Sequence, residues 1–374
     1  GADLGVLLSS LGGASDVPTI QNLILVSDIN RFVFCFGANT LGTTVQDPML
    51  IRWSDQESAV DWTPSATNQA GSLRLSRGSE IIAATQSRQA VMVWTDTATY
   101  TLQFLGGQAG WGAQLVSGNI SIISSNAVAY ANGVSYWMGK DKFYIYDGNV
   151  RALKCDLLRY VFNDINWQQT GQIFAGTTEE YNEVWWFYCS EDSTTVDRYI
   201  VYNYQDSIWY NGTLARTAWL DSGMRDFPLA ATYTYNLVNH EQGVDDNETG
   251  TSTAINASIT SGQFDTEDGH KFTLISRIIP DMTFDGSTAD SPSATITLYP
   301  MQNSGSGYND PLSEGGNSAG AITRSATVPV EQYTDQIDVR VRGRQIAFKI
   351  ESTDLGVQWQ LGSPRLDMRV DGRR

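Results

Sequence analysis

The side chains best equipped for covalent chemistry are scarce here: two histidines, His240 and His270, and three cysteines, Cys35, Cys155 and Cys189, in 374 residues. A nucleophilic triad needs a histidine as general base, and neither histidine stands in a nucleophile motif. No P-loop occurs, so phosphoryl transfer lacks its phosphate cradle, and serine hydrolysis lacks a histidine placed as its base. The cysteines are odd in number and far apart, which argues against a metal knuckle or a disulfide framework. They read as small buried apolar residues. Carboxylates remain. Hydrolysis of a glycosidic bond needs two of them and no histidine; the acidic clusters Glu179-Glu180…Glu183 and Asp245-Asp246…Glu248 raise a different chemistry, the binding of a divalent cation. Neither run has the glycine and terminal glutamate of a calcium-binding EF loop, so both read as solvated loops, and no metal or cofactor is expected.

The other chemistry on offer is charge recognition. Residues 337–374 read IDVRVRGRQIAFKIESTDLGVQWQLGSPRLDMRVDGRR, with eight Lys or Arg against five acids inside a chain of net charge −17. Ile337, Val339 and Val341 are apolar at odd positions, whereas beyond Gly343 the apolar Ile346, Phe348 and Ile350 are even. A strand with one buried face cannot change parity without an extra residue or a turn. Gly343 is therefore expected to be a β-bulge or the tip of a tight turn, gathering Arg340, Arg342 and Arg344. With Arg365 and Arg369 they form the candidate subunit or neighbour interface, and Arg373 and Arg374 extend the basic run. The plainer reading is a charged face that protects a sheet edge. The acidic remainder weighs against affinity binding of nucleic acid, which needs cations to displace phosphate counterions. A wall of like charge instead lets a polyanion pass without sticking, and it also keeps a protein soluble.

The elements that must position these residues are strands. Short alternating runs of aromatic and β-branched residues, separated by Gly, Asn and Asp, fill the first two thirds of the chain. The best helical spacing lies in residues 153–166, through Leu157, Leu158, Val161, Phe162 and Ile165. Trp94, Trp137 and Trp185 recur at separations of 43 and 48 residues, the repeat length of a four-stranded propeller blade, and residues 32–53 offer a further unit. The three tryptophans read as propeller core. Asn132-Gly133, Asp147-Gly148 and Asn211-Gly212 fit tight hairpin turns. A polar, acidic stretch at 244–253 marks a boundary, giving an all-β chain with a β-propeller-like domain at 1–243 and a smaller β-sandwich-like domain at 244–374. Residues 303–320, rich in Gly, Ser and Asn, read as a long loop. No apolar run is long enough to span a membrane. The opening GADLGVLLSSLGG lacks both a basic flank and an initiator Met, which argues against a signal peptide and for a processed or partial product.

Two resemblances bear on function. The segment SDQESAVDW at 54–62 loosely resembles the Asp-box turn of sialidase-type propellers, with a carboxylate and apolar residues where the box has Gly and Thr. In that family the box is a structural turn and not the catalytic site. A longer series resembles the tail nozzle (tail tubular) proteins of short-tailed bacteriophages. It comprises IRWSDQESAVDWTP at 51–64, VSYWMGKDKFYIYDGNVRAL at 134–153 and VWWFYCSEDSTTVDRYIVYNYQDSIWYNGTLARTAWLD at 184–221. It continues through NHEQGVDDN at 239–247, SGQFDTEDGHKFTLISRIIPDM at 261–282 and the basic closing segment. The segments follow one another in the family's order from about residue 50 onward; family members carry additional sequence before the equivalent of Gly1. The resemblance implies a non-enzymatic structural virion protein of the phage tail. Six copies would form a ring below the portal and adaptor proteins and meet adaptor and tail fibre proteins. The genome DNA would pass through the lumen without specific binding, and no membrane insertion is implied. The alternative is a carbohydrate-binding or sialidase-like glycosidase tail protein, for which eleven Trp and seventeen Tyr could supply a sugar-stacking platform.

Overall fold

In the computed structural model, which describes residues 6–88, 90–266, 269–301 and 325–372, regular structure is almost entirely β. The loop expected at 303–320 lies outside the described residues, as do Arg373 and Arg374. The chain divides into two compact units, Gly1–Glu241 and Gln242–Arg374.

The first unit is a run of antiparallel meanders. Blade 1 holds β1 (Leu23–Ser27), β2 (Phe32–Phe36), β3 (Leu50–Trp53) and β4 (Gly71–Arg74). Blade 2 holds β5 (Ile81–Gln86), β6 (Val91–Thr95), β7 (Thr99–Gly106) and β8 (Gly110–Ser117). Blade 3 holds β9 (Val128–Ala131), β10 (Val134–Met138), β11 (Phe143–Tyr146) and β12 (Val150–Leu153). Blade 4 holds β13 (Phe174–Thr178), β14 (Glu183–Tyr188), β15 (Arg198–Asn203) and β16 (Ile208–Thr213). A three-stranded sheet of β17 (Ala218–Leu220), β18 (Leu229–Ala231) and β19 (Leu237–Asn239) follows. Strands pair in sequence order within each sheet, and the first strands β1, β5, β9, β13 and β17 lie side by side in that order. That is the construction of a propeller.

Aromatic alternation explains why the blades stack. In β14, Val184, Trp186 and Tyr188 join the core shared with blades 2 and 3, while Trp185 and Phe187, with Cys189 just beyond the strand, pack with Trp219 of β17. Both faces are thus buried, as they must be in a blade flanked by two others. The second face of blade 1 is covered differently, by Val17 and Trp62 against Val33 and Cys35. The tryptophans are core, but their spacing is not a strict repeat. Trp94 and Trp137 meet each other edge to face at 5.3 Å between blades 2 and 3, and the blade 4 residue turned toward blade 3 is Trp186, whose indole donates to the Ala127 carbonyl at 3.0 Å. Trp185 points the other way.

Several local expectations need correction. The helix α1 is only Leu158–Asp164, because Leu153 already pairs with Phe143 as the end of β12. Asn211-Gly212 lies inside β16 opposite Ile200 and Tyr199; Gly212 is needed there because a Cβ would stand 2.4 Å from the Tyr199 hydroxyl. Asn132 and Gly133 do take the positive φ of a tight hairpin turn, at 47° and 79°.

The second unit is a two-layer sandwich with two small ribbons. The ribbons pair β20 (Asp245–Asp246) with β21 (Thr253–Ala254), and β24 (Met282–Thr283) with β29 (Gln360–Leu361). The acidic stretch expected as an open loop is therefore in part a ribbon. One layer orders its strands β22 (Ala257–Thr260), β28 (Gln345–Ser352), β25 (Ser293–Met301) and β26 (Ala326–Glu331). The other orders β27 (Ile337–Gly343), β23 (Thr273–Ile279) and β30 (Arg365–Val370). Ile275, Ile278, Ile337 and Val341 of the three-stranded layer pack against Ile296, Leu298, Ile346 and Ile350 of the other.

This arrangement accounts for the parity change at Gly343. The chain neither bulges nor reverses there: it leaves one layer and enters the other, so odd residues before the corner and even residues after it face the same core. A Cβ at Gly343 would stand 2.8 Å from the Gln345 carbonyl oxygen and 2.9 Å from the Met301 nitrogen, a closeness that selects glycine. The bulge sits on the neighbouring strand, between Ile275 and Arg277 of β23.

Candidate functional site

The register of the three-stranded layer fixes which side chains share its outer face. Arg342 pairs with Leu274, and Leu274 with Arg369; Asp338 pairs with Arg277, and Arg277 with Asp367. Because alternate residues of a strand point the same way, Arg340 and Arg365 belong to that face too. The sandwich thus presents Arg277, Arg340, Arg342, Arg365 and Arg369 outward, with Asp338 and Asp367 between them. Four of the five arginines expected at an interface are brought together. Arg344 sits at the corner between layers, where its Nη1 donates to the His270 carbonyl at 3.1 Å. Arg277, which sequence reasoning missed, joins from a strand some 60 residues earlier. Its flanks, LIS before and II after, read as buried strand, and only the register reveals a cation facing out.

The arginines are not equally engaged. Arg342 lies over the Phe272 ring at 4.1 Å and pairs with Asp371 at 2.5 Å. Arg344 stands 5.0 Å from the same ring. Arg277 and Arg369 each approach Asp367 at 3.8 Å, a long contact on a side chain that for Arg369 is 72% exposed, worth little in water. Arg340 and Arg365 are exposed and make no ion pair or hydrogen bond among the described residues. Five fixed cations on a flat face, two of them unengaged, can recognise carboxylates or phosphates. They offer no nucleophile or base.

A second region of interest is the axial cavity of the first unit, about 670 Å³, between β5, β9, β13 and β17. Thr85, Asn126, Gln172, Phe174, Trp219 and Tyr233 are among its lining, and none of the lining residues is acidic or basic. Its aromatic rings are already partly occupied, Phe174 stacking on Phe187 at 4.7 Å and Trp219 on Trp185 at 5.1 Å. The size and the uncharged polar lining suit a small neutral ligand. A pair of carboxylates for bond cleavage is not in it.

The carboxylates gather instead on one edge of blade 4. Glu183 accepts from the Tyr210 hydroxyl and, at 3.1 Å, from the Trp185 indole. Burial pushes its carboxyl above the ordinary range, against the pull of those two donors. Glu241 is raised by burial and then by the charges of Glu183 and Glu180. Asp221 accepts from the Thr177 hydroxyl at 2.9 Å and the Glu179 amide at 3.0 Å. Phenols nearby register the same field, Tyr181 being raised by burial and by Glu180, Glu241 and Glu183. None of these five carboxylates makes an ion pair among the described residues. The run at 179–183 is thus more than a solvated loop. A raised carboxyl is what a general acid requires, but both oxygens of Glu183 are bound and it stands outside the axial cavity.

The remaining candidates are inert. Burial pushes the Cys35 and Cys155 thiols to about 12 and Cys189 to about 11, far from the thiolate a nucleophile needs. His240 accepts from the buried Arg216 guanidinium at 2.9 Å and lies 4.7 Å from the Trp219 ring. The Asp-box-like loop is structural: Asp61 accepts from Ser15 and Asn68, and Trp62 is buried against blade 1. Among the described residues no group of three His, Cys, Asp or Glu is placed to hold a metal ion, and no helix is long and apolar enough to cross a membrane.

No family model and no curated protein matches the chain. Among solved structures it is similar to Hsv2 of Kluyvelomyces marxianus, with a TM-score of 0.34 and 10% identity over 59% of this chain and 60% of that one. It is also similar to the exo-beta-1,3-galactanase of Phanerochaete chrysosporium, solved with galactose, at 0.32 and 10% over 95% and 98%. A third is a glycoside hydrolase family 43 arabinoxylan arabinofuranohydrolase from Bacillus subtilis, in complex with cellotetraose, at 0.22 and 10% over 92% and 66%. Two of these three are named for action on carbohydrates and none is a tail protein. At such scores they carry no argument about function.

Proposed function

We propose that this chain is a structural subunit of a phage tail nozzle, joined to neighbouring proteins through the arginine face of its C-terminal sandwich. The observation that carries the reading is that face: five arginines on the outside of one sheet, in a protein of net charge −17. A monomer that needed only solubility would gain nothing from collecting its cations in one place, whereas a contact surface must collect them. The ordered nozzle-like segments supply the assembly, a ring that extends the DNA-ejection channel below portal and adaptor. The acidic excess would keep the passing genome from sticking to the wall. Particle imaging and native mass of the purified protein test this; a six-fold ring is expected, and a stable monomer with sugar turnover would sink it.

A carbohydrate-binding tail protein is the second reading, and the axial cavity favours it. Its threonine, asparagine and glutamine side chains offer neutral hydrogen-bonding partners of the kind a saccharide uses, with Trp219 and Phe174 alongside. A glycan-binding screen run together with a turnover assay separates the readings. Binding without turnover fits the cavity as a receptor site, and cleavage would require acids that the lining does not contain.

A further inference from the structure

Resting on the ring-subunit reading, we infer that the arginine face of one copy docks on the carboxylate edge of blade 4 in another copy, guanidinium against carboxylate. The two surfaces complement each other in sign and in chemistry. On one side stand Arg277, Arg340, Arg365 and Arg369, of which Arg340 and Arg365 have no partner among the described residues. On the other stand Glu179, Glu180 and Glu241, all exposed, with Asp221 and Glu183 behind them. Among the described residues no cation of the same unit pairs with this edge, although that unit has thirteen Lys or Arg against twenty-three acids.

The acidic edge also carries rings that a guanidinium plane can lie on. Tyr181 is 43% exposed and Tyr210 is 37% exposed, and Tyr181 stands in the field of Glu180, Glu241 and Glu183. Arginine stacked on an aromatic ring and bound by a carboxylate is a contact the chain already makes internally, where Arg342 covers Phe272 and pairs with Asp371. Docking would offset the mutual repulsion of Glu241, Glu183 and Glu180, a repulsion that exists because the chain alone leaves them uncompensated. Patches that differ but complement each other on one chain permit a head-to-tail contact, the kind that closes into rings.

The test is a charge swap read by sedimentation and native mass over a range of protein concentrations, with circular dichroism to confirm folding. The wild-type chain self-associates, more weakly as salt rises. R340E/R365E and, separately, E180R/E241R each weaken association at least tenfold. The four-fold variant, carrying both reversals, associates again to within about threefold of wild type, because a reversed face then meets a reversed edge. If either pair of substitutions leaves association unchanged, or the four-fold variant does not recover, these two surfaces do not meet, while a wild-type ring would still support the nozzle reading. A wild-type chain that stays monomeric at all concentrations overturns both.

Discussion

The two units bury their strands by opposite means. In the first, aromatic side chains occupy both faces of a blade, so that Trp185 and Trp186, adjacent in sequence, serve two different interfaces. In the second, each sheet buries one face with Ile, Leu and Val and leaves the other free to carry charge. A blade flanked on both sides has little freedom to display function except at its edges and along the axis. A sandwich has a whole outer face to spend. That difference places the carboxylates on an edge of blade 4 and the arginines across an open sheet.

The comparison can be broken most forcefully in the cores. Trp186→Ala removes a fully buried indole and its bond to Ala127, and the expected cost is about 3–5 kcal/mol. The loss should appear in the unfolding transition of the first unit alone, followed by urea titration with near-ultraviolet dichroism. Ile350→Ala, also fully buried, should cost about 2–5 kcal/mol in the second unit. If either substitution shifts both transitions equally, the units do not fold independently. A smaller effect probes the seam between blade 4 and the sheet of β17. A Cβ on Gly176 would stand 2.4 Å from the Trp219 ring, so Gly176→Ala should cost about 1–3 kcal/mol through overpacking. The exposed pair R340E/R365E should change stability by no more than about 0.5 kcal/mol, although it is the variant expected to weaken association.

The same contrast explains what could be read from the sequence. Blade-length spacing and alternation exposed the all-β class, the propeller-like arrangement and the burial of Trp94 and Trp137, because burying a strand requires side chains that alternate. Which of two neighbouring tryptophans faced which blade was not legible, since in a strand buried on both sides both parities are apolar. The arginines were visible as a run. Their common face was not, because it depends on pairings between strands far apart, and so Arg277 was missed. The parity change at Gly343 was visible too, but a sequence cannot distinguish a bulge from a change of layer. The carboxylate edge drew on Glu241 and Asp221, each distant from the run at 179–183, and no local spacing joins them.

The smallest predicted effect concerns that edge. Glu183 has its carboxyl raised above the ordinary 4.5, with burial as the largest cause. A carboxyl whose folded value exceeds its unfolded value contributes stability below the unfolded value and loses it as pH rises through the folded one. The wild-type first unit should therefore lose a little stability between pH 4.5 and neutrality on account of this group. Glu183→Gln removes that slope without orphaning its partners. The amide oxygen can still accept from the Trp185 indole, and the Tyr210 hydroxyl, which is both donor and acceptor, can rotate to accept from the amide nitrogen. The expected outcome is a variant equal to wild type at acidic pH and slightly more stable at neutral pH, measured as urea midpoints across that range. A variant with the wild-type slope would show that Glu183 is solvated enough to titrate normally. Glu183 would then be fully ionised at neutral pH and add its charge to that of Glu179, Glu180, Asp221 and Glu241, which extends the edge that an incoming arginine can reach.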